Sequence, residues 1–99
     1  MPVIMISVKT PPGEATKQGE IFSSGKLPKM PDFVKRINTY VWVDKCIRSI
    51  SLFECPKDKL FEGMKAMNQR LTAYFGIEGI SFKVNPLMEI KDALSLVGL

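Results

Sequence analysis

The chain has 99 residues, so we predict a single domain over residues 1–99 with one hydrophobic core. It is 45% hydrophobic, 24% charged and carries a net charge of +4, with the basic residues spread along the chain, so we expect a soluble protein with no nucleic-acid partner. The absence of histidine disfavours a metal site or a histidine-held cofactor, and we expect neither.

The absence of long apolar stretches predicts a cytoplasmic protein. No run approaches the ~20 apolar residues that a membrane-spanning helix needs. The apolar start of the chain lacks the basic region of a signal peptide. We therefore expect no membrane partner.

The first elements in chain order are a strand, a turn and a weak helix. Residues 2–9 alternate like a strand, and the prolines of residues 10–13 end it because they cannot donate hydrogen bonds to the ladder. Residues 13–24 predict a helix that Gly19 weakens by ~1 kcal/mol and that Gly25 can cap. Alternation places Ile4, Ile6 and Val8 on one face of the strand and the remaining apolar residues, Val3 and Met5, on the other with Ser7.

Two further strands are predicted over residues 32–43 and 47–55, which are rich in β-branched and aromatic residues. Strict alternation divides the first of them between two faces, one of which carries Ile37, Thr39, Val41 and Val43. The other face then carries Arg36, Asn38, Tyr40 and Trp42. In the strand over 47–55, one predicted face carries Ile47, Ser49, Ser51, Phe53 and Cys55.

The long helix predicted over residues 56–75 has the clearest pattern in the chain. Apolar residues recur at the spacing of one helical face, and Gly76 follows as a candidate cap. A fourth strand is predicted over 78–84, ended by Asn85-Pro86, and a short final helix over 88–97 is predicted to dock by its apolar side. The predicted core face of the long helix consists of Leu60, Phe61, Met64, Met67, Leu71, Tyr74 and Phe75.

The order of these elements predicts an α+β fold of the ferredoxin-like βαββαβ type, a four-stranded antiparallel sheet followed by a C-terminal helix. The helices would cover one face of the sheet. Val3, Met5, Tyr40, Trp42 and Phe53 cannot all lie on that side, so apolar residues should remain on the other face. Such a patch is typical of an interface or a ligand site, and we expect two sheets to pack face to face in a homodimer.

The chain resembles the dimeric α/β-barrel superfamily, in particular one of its small families without an assigned function. The resemblance lies in residues 32–40, 51–56 and 82–89, the last being a strand that ends in proline and leads into a short helix with an acidic start. It implies a dimeric α/β barrel. The superfamily includes cofactor-independent monooxygenases, muconolactone isomerase-like enzymes, haem-binding relatives of chlorite dismutase and stress-responsive proteins. A histidine-ligated haem does not carry over to this chain, and no catalytic motif of these enzymes matches it.

The best candidate ligand site in the sequence is the alternating polar face of the second strand. An arginine can grip a carboxylate, an asparagine and a tyrosine can orient a carbonyl or hydroxyl, and a tryptophan can stack on a planar ring. Interface anchoring is the other interpretation of the same residues. The candidate set comprises Arg36, Asn38, Tyr40, Trp42 and Glu54.

Glu54 and the cysteines are weaker candidates for chemistry. Glu54 is expected to pair with Arg48 or Arg36 rather than to act as a base. Cys46 or Cys55 would be a nucleophile only beside a base or cation that favours the thiolate, and a structural role is favoured for both.

The sequence therefore predicts a small homodimeric protein that binds an aromatic or carboxylate-bearing molecule or another partner. The alternative is a cofactor-independent monooxygenase or isomerase acting on an aromatic or polyketide-like substrate. No residue is assigned a catalytic role, and the sequence leaves open whether the protein is an enzyme. A purely structural dimer that scaffolds a partner is the third hypothesis.

Overall fold

The computed structural model describes all 99 residues and contains one four-stranded antiparallel sheet. The strands are β1 (Val3–Thr10), β2 (Lys35–Val43), β3 (Ile47–Glu54) and β4 (Ser81–Leu87), in the spatial order β2-β3-β1-β4. Together with the helices this is a mixed α+β architecture, compatible with a ferredoxin-like fold. All four predicted strands are present, with ends shifted by a few residues.

Three α-helices accompany the sheet: α1 (Ala15–Ser23), α2 (Leu60–Leu71) and α3 (Ile90–Ser95). The long helix predicted from the sequence is α2 with a 3₁₀ turn at each end, Lys57–Lys59 before it and Thr72–Tyr74 after it. Gly25 follows α1 with φ +73°, as expected of a helix cap. No helix in the structure is long and apolar enough to cross a membrane.

The hydrophobic core lies between α2 and one face of the sheet. Ile4 pairs with Phe53 and Ile6 with Ser51 across β1 and β3, so these side chains share the face that α2 covers. Fully burying a side chain of this kind stabilises a fold by ~1.5–3 kcal/mol. The buried hydrophobic residues are Ile4, Ile6, Val34, Phe53, Cys55, Met67, Leu71, Tyr74 and Ile77.

Two members of the predicted apolar face of the long helix lie outside the core. Phe61 is 77% exposed and Phe75 is 69% exposed, so their assignment to the core was wrong. Phe61 lies on α2, whose buried residues are Gly63, Met67 and Leu71. Phe75 lies beyond the end of α2 and stacks on Phe82, with ring centroids 6.0 Å apart. The buried face of α2 is therefore narrower than its apolar pattern.

Strand β4 continues through the Asn85-Pro86 pair that was predicted to end it. Proline is tolerated there because β4 is an edge strand, and only one of its sides pairs with another strand. The turn before β4 needs glycine at position 79. Gly79 has φ +77°, and a Cβ there would lie 2.8 Å from Pro11 Cγ.

A bulge in β2 changes which of its residues share a face. Arg36 pairs with Phe53, whereas Asn38 pairs with the next residue of β3, Leu52, so Ile37 is an extra residue in the ladder. Arg36 therefore shares the helix-side face with Thr39 and the residues alternating after it. We call the face away from the helices the open face; its apolar and aromatic members are Val3, Met5, Tyr40, Trp42, Ile50, Leu52 and Leu87.

Candidate functional site

A cleft of about 610 Å³ lies between α1 and the helix-side face of the sheet. Helix α1 lies against the Thr72–Tyr74 turn, and the cleft separates it from the outer part of the sheet. The outer part of the sheet is consequently uncovered: Val41 faces the helix side and is still 62% exposed. A volume of this size is within the range of ligand sites, ~300–1,000 Å³.

Most of the cleft wall is apolar. Thirteen of its 21 lining residues are hydrophobic, and both β-branched and aromatic side chains are among them. Such a wall favours the apolar body of a small molecule over water, by roughly 25 cal/mol per Å² of apolar area removed from solvent. Members of the wall from four different elements are Val8, Phe22, Val41 and Phe82.

The only charged residues that line the cleft are two arginines, Arg36 and Arg70. Arg70 Nη1 donates a hydrogen bond to the carbonyl oxygen of Pro28 at 2.9 Å, which holds its guanidinium in place. The guanidinium of Arg36 makes no hydrogen bond or ion pair within the chain, and no carboxylate lines the cleft. The cleft is therefore cationic, with one guanidinium whose donors are all available to a ligand.

Small polar residues of β2 and β3 form part of the cleft floor. Ser49 and Ser51 occupy core-side positions of β3 where larger side chains would fill the space beneath α1. The hydroxyls of Thr39 and Ser51 are hydrogen-bonded to each other at 2.9 Å. These hydroxyls give the floor donors and acceptors for the polar part of a ligand.

Tyr74 is a largely buried residue of the cleft wall, and its phenol oxygen makes no hydrogen bond within the chain but keeps some contact with solvent. Burial raises the pKa of Tyr74 above its ordinary value, and the nearby charge of Arg70 opposes that shift only in part. A phenol is already protonated at neutral pH, and the raised pKa keeps Tyr74 protonated further into the alkaline range. It can donate a hydrogen bond to a ligand oxygen but is a poor base.

The structure separates the residues that sequence alternation had placed together on β2. Arg36 lies in the cleft, whereas Asn38, Tyr40 and Trp42 lie on the open face, so the prediction of one shared face was wrong. The physical reason is the extra residue at Ile37, which reverses the alternation after it. The aromatic residues of β2 therefore belong to a different surface from the arginine.

Glu54 lies on the open face and forms no ion pair, so the predicted pairing with Arg48 or Arg36 was wrong. Arg36 is on the opposite face of the sheet. Arg48 Nε instead donates to Asp44 Oδ2 at 2.8 Å in the turn between β2 and β3. A hydrogen bond from the backbone of Cys46, and then the charge of Arg48, lower the pKa of the Asp44 carboxyl.

Neither cysteine lies in a setting that favours a thiolate. Cys55 is fully buried, and its Sγ lies 3.3 Å from the carbonyl oxygen of Lys59. Burial, with added repulsion from Asp58 and Glu62, raises the pKa of the Cys55 thiol. Cys46 is a half-buried turn residue whose backbone N–H donates to Asp44. A structural role fits both thiols.

Sequence reasoning missed the cleft because no single segment encodes it. Arg70, Tyr74 and Ser51 come from separate elements and meet only in the folded chain. One signal was present: two serines occupy core-facing positions of β3, where a filled core would have apolar residues. Small polar residues on a covered sheet face indicate space beneath the covering helix.

No protein-family model matches the chain, and a search of curated proteins finds no sequence similar to it. No group of three or more acidic, cysteine or histidine residues is arranged to hold a metal ion. Function must therefore be argued from the cleft and the open face.

Proposed function

We propose that this protein binds a small organic anion, with an apolar or aromatic body and a carboxylate-like group, in the cleft between α1 and the sheet. The observation that carries the proposal is the pairing of an apolar wall with two arginines and no carboxylate. An anion would supply the charge that the chain itself does not place there. An uncharged ligand would leave the Arg36 guanidinium without a charged partner.

Arg36 is the residue that should fix the anionic group. Its planar guanidinium can hold two carboxylate oxygens at once, and no other group in the chain competes for it. Arg70 is already tethered to Pro28, so it would add charge from a fixed position. The phenol of Tyr74 and the Thr39–Ser51 hydroxyl pair would orient a second oxygen on the ligand.

Catalysis without a cofactor is the second candidate function for the same cleft, and Tyr74 is the observation that favours it. The protonated phenol of Tyr74, at the wall of an apolar cleft, can donate a hydrogen bond to an oxyanion that forms on an activated aromatic or polyketide-like substrate. Such a substrate would supply its own electrons to oxygen or isomerise. Loss of a bound anion over time, with oxygen uptake or a product of equal mass, would distinguish turnover from binding.

We also propose a cytoplasmic homodimer of the dimeric α/β-barrel type, and the open face is the observation that supports the dimer. Tyr40 is 52% exposed and Trp42 is 46% exposed, next to apolar residues of β1 and β3 on the same face. Contiguous apolar surface of this kind is typical of an interface. A second copy would cover it by the same residues on both sides.

Binding is tested with two fluorescent probes that share one ring system. Anilinonaphthalene sulfonate carries an anionic group, and phenylnaphthylamine is the same molecule without it. We expect Arg36→Gln to lower the affinity for the sulfonate probe roughly 10- to 100-fold, since hydrogen bonds to charged groups contribute ~1.5–3 kcal/mol. Affinity for the uncharged probe should stay within about twofold, because the apolar wall is unchanged.

Arg48→Gln is the matched control, because Arg48 lies on the open face and pairs with Asp44. It removes the same charge from the protein but should leave the affinity of both probes unchanged. The proposal fails if Arg36→Gln and Arg48→Gln weaken the anionic probe equally, which would indicate net charge alone. It also fails if Arg36→Gln has no effect on either probe.

A further inference from the structure

The segment after β4, residues 88–99, carries an apolar surface that nothing in the chain covers. We call it the tail. Ile90 is 74% exposed, Val97 is 74% exposed and Leu99 is 88% exposed. Within α3 and the turn after it, Ile90, Leu94 and Val97 recur at the spacing of one helical face. The tail is therefore amphipathic, with its apolar side in solvent in the single copy.

The tail is not docked on its own domain, so the prediction that the final helix docks by its apolar side was wrong within the single chain. None of its side chains belongs to the hydrophobic core, and the hydrogen bonds of residues 89–99 stay within the segment. Its one ion pair, between Lys91 and Glu89, is also local. A helix as short as α3 is not stable alone in water, because isolated helices of fewer than ~12 residues are marginal. The segment needs a surface to pack against.

The size of the open face indicates what that surface is. Four strands ~4.8 Å apart and ~23 Å long present roughly 450 Å² of flat area per copy. Two such flat outlines total roughly 900 Å², and because side chains give a face more accessible surface than its outline, a face-to-face pair lies near the lower end of the stable interfaces, ~1,200 Å². Additional buried area from outside the sheet would strengthen such a pair. The tail offers apolar side chains of the kind that would supply it.

The position and charge of the tail favour a second copy of this chain. Leu87 pairs with Val3 on the open face, so the tail begins at the rim of the surface that a second copy would cover. Glu89 and Asp92 against Lys91 give the tail a net charge of −1, which leaves +5 on the rest of a chain whose total is +4. The tail is thus complementary in charge to the body of another copy.

We propose that the tail of each copy crosses the rim of the open face and packs its apolar side on the partner copy. This inference rests on the proposed homodimer and adds the element that completes its interface. The contact is reciprocal, because the same tail leaves both copies. Residues that face the partner are Ile90, Leu94 and Val97.

The test compares the dimer dissociation constants of the full chain and of two variants by light scattering over a concentration series. Ile90→Glu combined with Leu94→Glu should raise the dissociation constant by roughly 100-fold or more, since apolar contacts are lost on both copies. Phe61→Glu is the matched control: Phe61 is 77% exposed on α2, away from the open face, and should leave dimerisation unchanged.

Cross-linking through Lys91 locates the tail. Isotopically labelled and unlabelled copies are mixed, treated with an amine-reactive cross-linker and analysed by mass spectrometry. Links from Lys91 to Lys9, Lys35 or Lys83 on the open face or its rim should join labelled to unlabelled chains. Links confined to one chain would overturn the inference, because the tail would then pack on its own copy.

The remaining outcomes separate the tail from the dimer itself. A dimer that persists unchanged in the Ile90→Glu/Leu94→Glu variant overturns the inference and leaves the homodimer intact. A full chain that is monomeric at all concentrations overturns both. Equal weakening by the Phe61→Glu control would also overturn the inference, because added negative charge alone would then explain the effect.

Discussion

Gly63, near the start of α2, is the position where one added methyl group tests how tightly helix and sheet are packed. A Cβ at this position would lie 2.7 Å from Cys55 Sγ and 3.6 Å from Val34 Cγ2. Cys55 is 0% exposed, and its Sγ already lies 3.3 Å from the carbonyl oxygen of Lys59. The sulfur has no free space to move into, so α2 must shift away from β3 by about 1 Å.

The same substitution elsewhere in the chain gives a matched comparison. Gly19 lies in the middle of α1, and a Cβ there would meet nothing within 4 Å. Gly19→Ala should therefore raise the free energy of unfolding by about 0.5–1 kcal/mol, the ordinary gain of alanine over glycine in a helix. At Gly63 the overpacking cost of ~1–3 kcal/mol exceeds that gain, so Gly63→Ala should lower stability by about 1–2 kcal/mol.

Urea unfolding followed by circular dichroism measures both effects, at one fixed protein concentration because dimerisation would add to stability. The two alanine variants should differ by about 2–3 kcal/mol, or roughly 8–20 °C in melting temperature for a domain of this size. Cys55→Ala removes the sulfur, so Gly63→Ala should cost at least 0.5 kcal/mol less in that background. The packing argument would be refuted if Gly63→Ala were as stabilising as Gly19→Ala. It would also be refuted if the effects of Gly63→Ala and Cys55→Ala on the free energy of unfolding were fully additive.

Two further predictions concern buried polar groups. The Thr10 hydroxyl is fully buried without a hydrogen-bond partner. Thr10→Val, which removes the hydroxyl, should therefore raise the free energy of unfolding by about 1 kcal/mol, whereas Thr10→Ser, which keeps it, should not. Equal effects of the two substitutions would contradict this explanation. Burial raises the pKa of the Cys55 thiol above 9.0, its ordinary value. The stability that the buried neutral thiol contributes is therefore complete well below pH 9.0, and it is lost as the pH rises from there through the higher pKa of the folded state. Urea midpoints should therefore fall more steeply with alkaline pH in the natural chain than in Cys55→Ala, and parallel slopes would contradict the assignment.

The sheet was predictable because period-two alternation is a local property. In β1, alternation alone placed Ile4 and Ile6 on the same face, and both are buried. In β3, alternation placed Phe53 with Ser51 on one face, and the register confirms it. The element order then limited the connections enough to predict a mixed α+β fold with one antiparallel sheet.

The ends and edges of elements were less predictable, because they depend on neighbours that the sequence does not show. Pro86 would end an interior strand, but β4 lies at the edge of the sheet and continues through it. Phe61 fits the apolar pattern of α2, yet it is exposed. The end of a strand and the exposure of a side chain both depend on neighbours that are distant in sequence.

The bulge at Ile37 had the largest effect on the functional interpretation. One extra residue in β2 moves Arg36 to the helix side and leaves Tyr40 and Trp42 on the open face. Nothing in the local sequence marks it, since Ile37 fits an unbroken strand as well as a bulged one. The consequence is that an arginine and an aromatic pair, adjacent in sequence, serve different surfaces.

That separation makes the two surfaces testable independently. Arg36 lines the cleft and does not lie on the open face, so its substitution changes the cleft alone. Trp42 lies on the open face and does not line the cleft, so its substitution changes the open face alone. If ligand binding and dimerisation are distinct properties, Arg36→Gln should weaken the anionic probe while the chain remains a dimer. Were the alternation unbroken, both properties would respond to the same substitution, because one face would then carry the ligand contacts and the interface together.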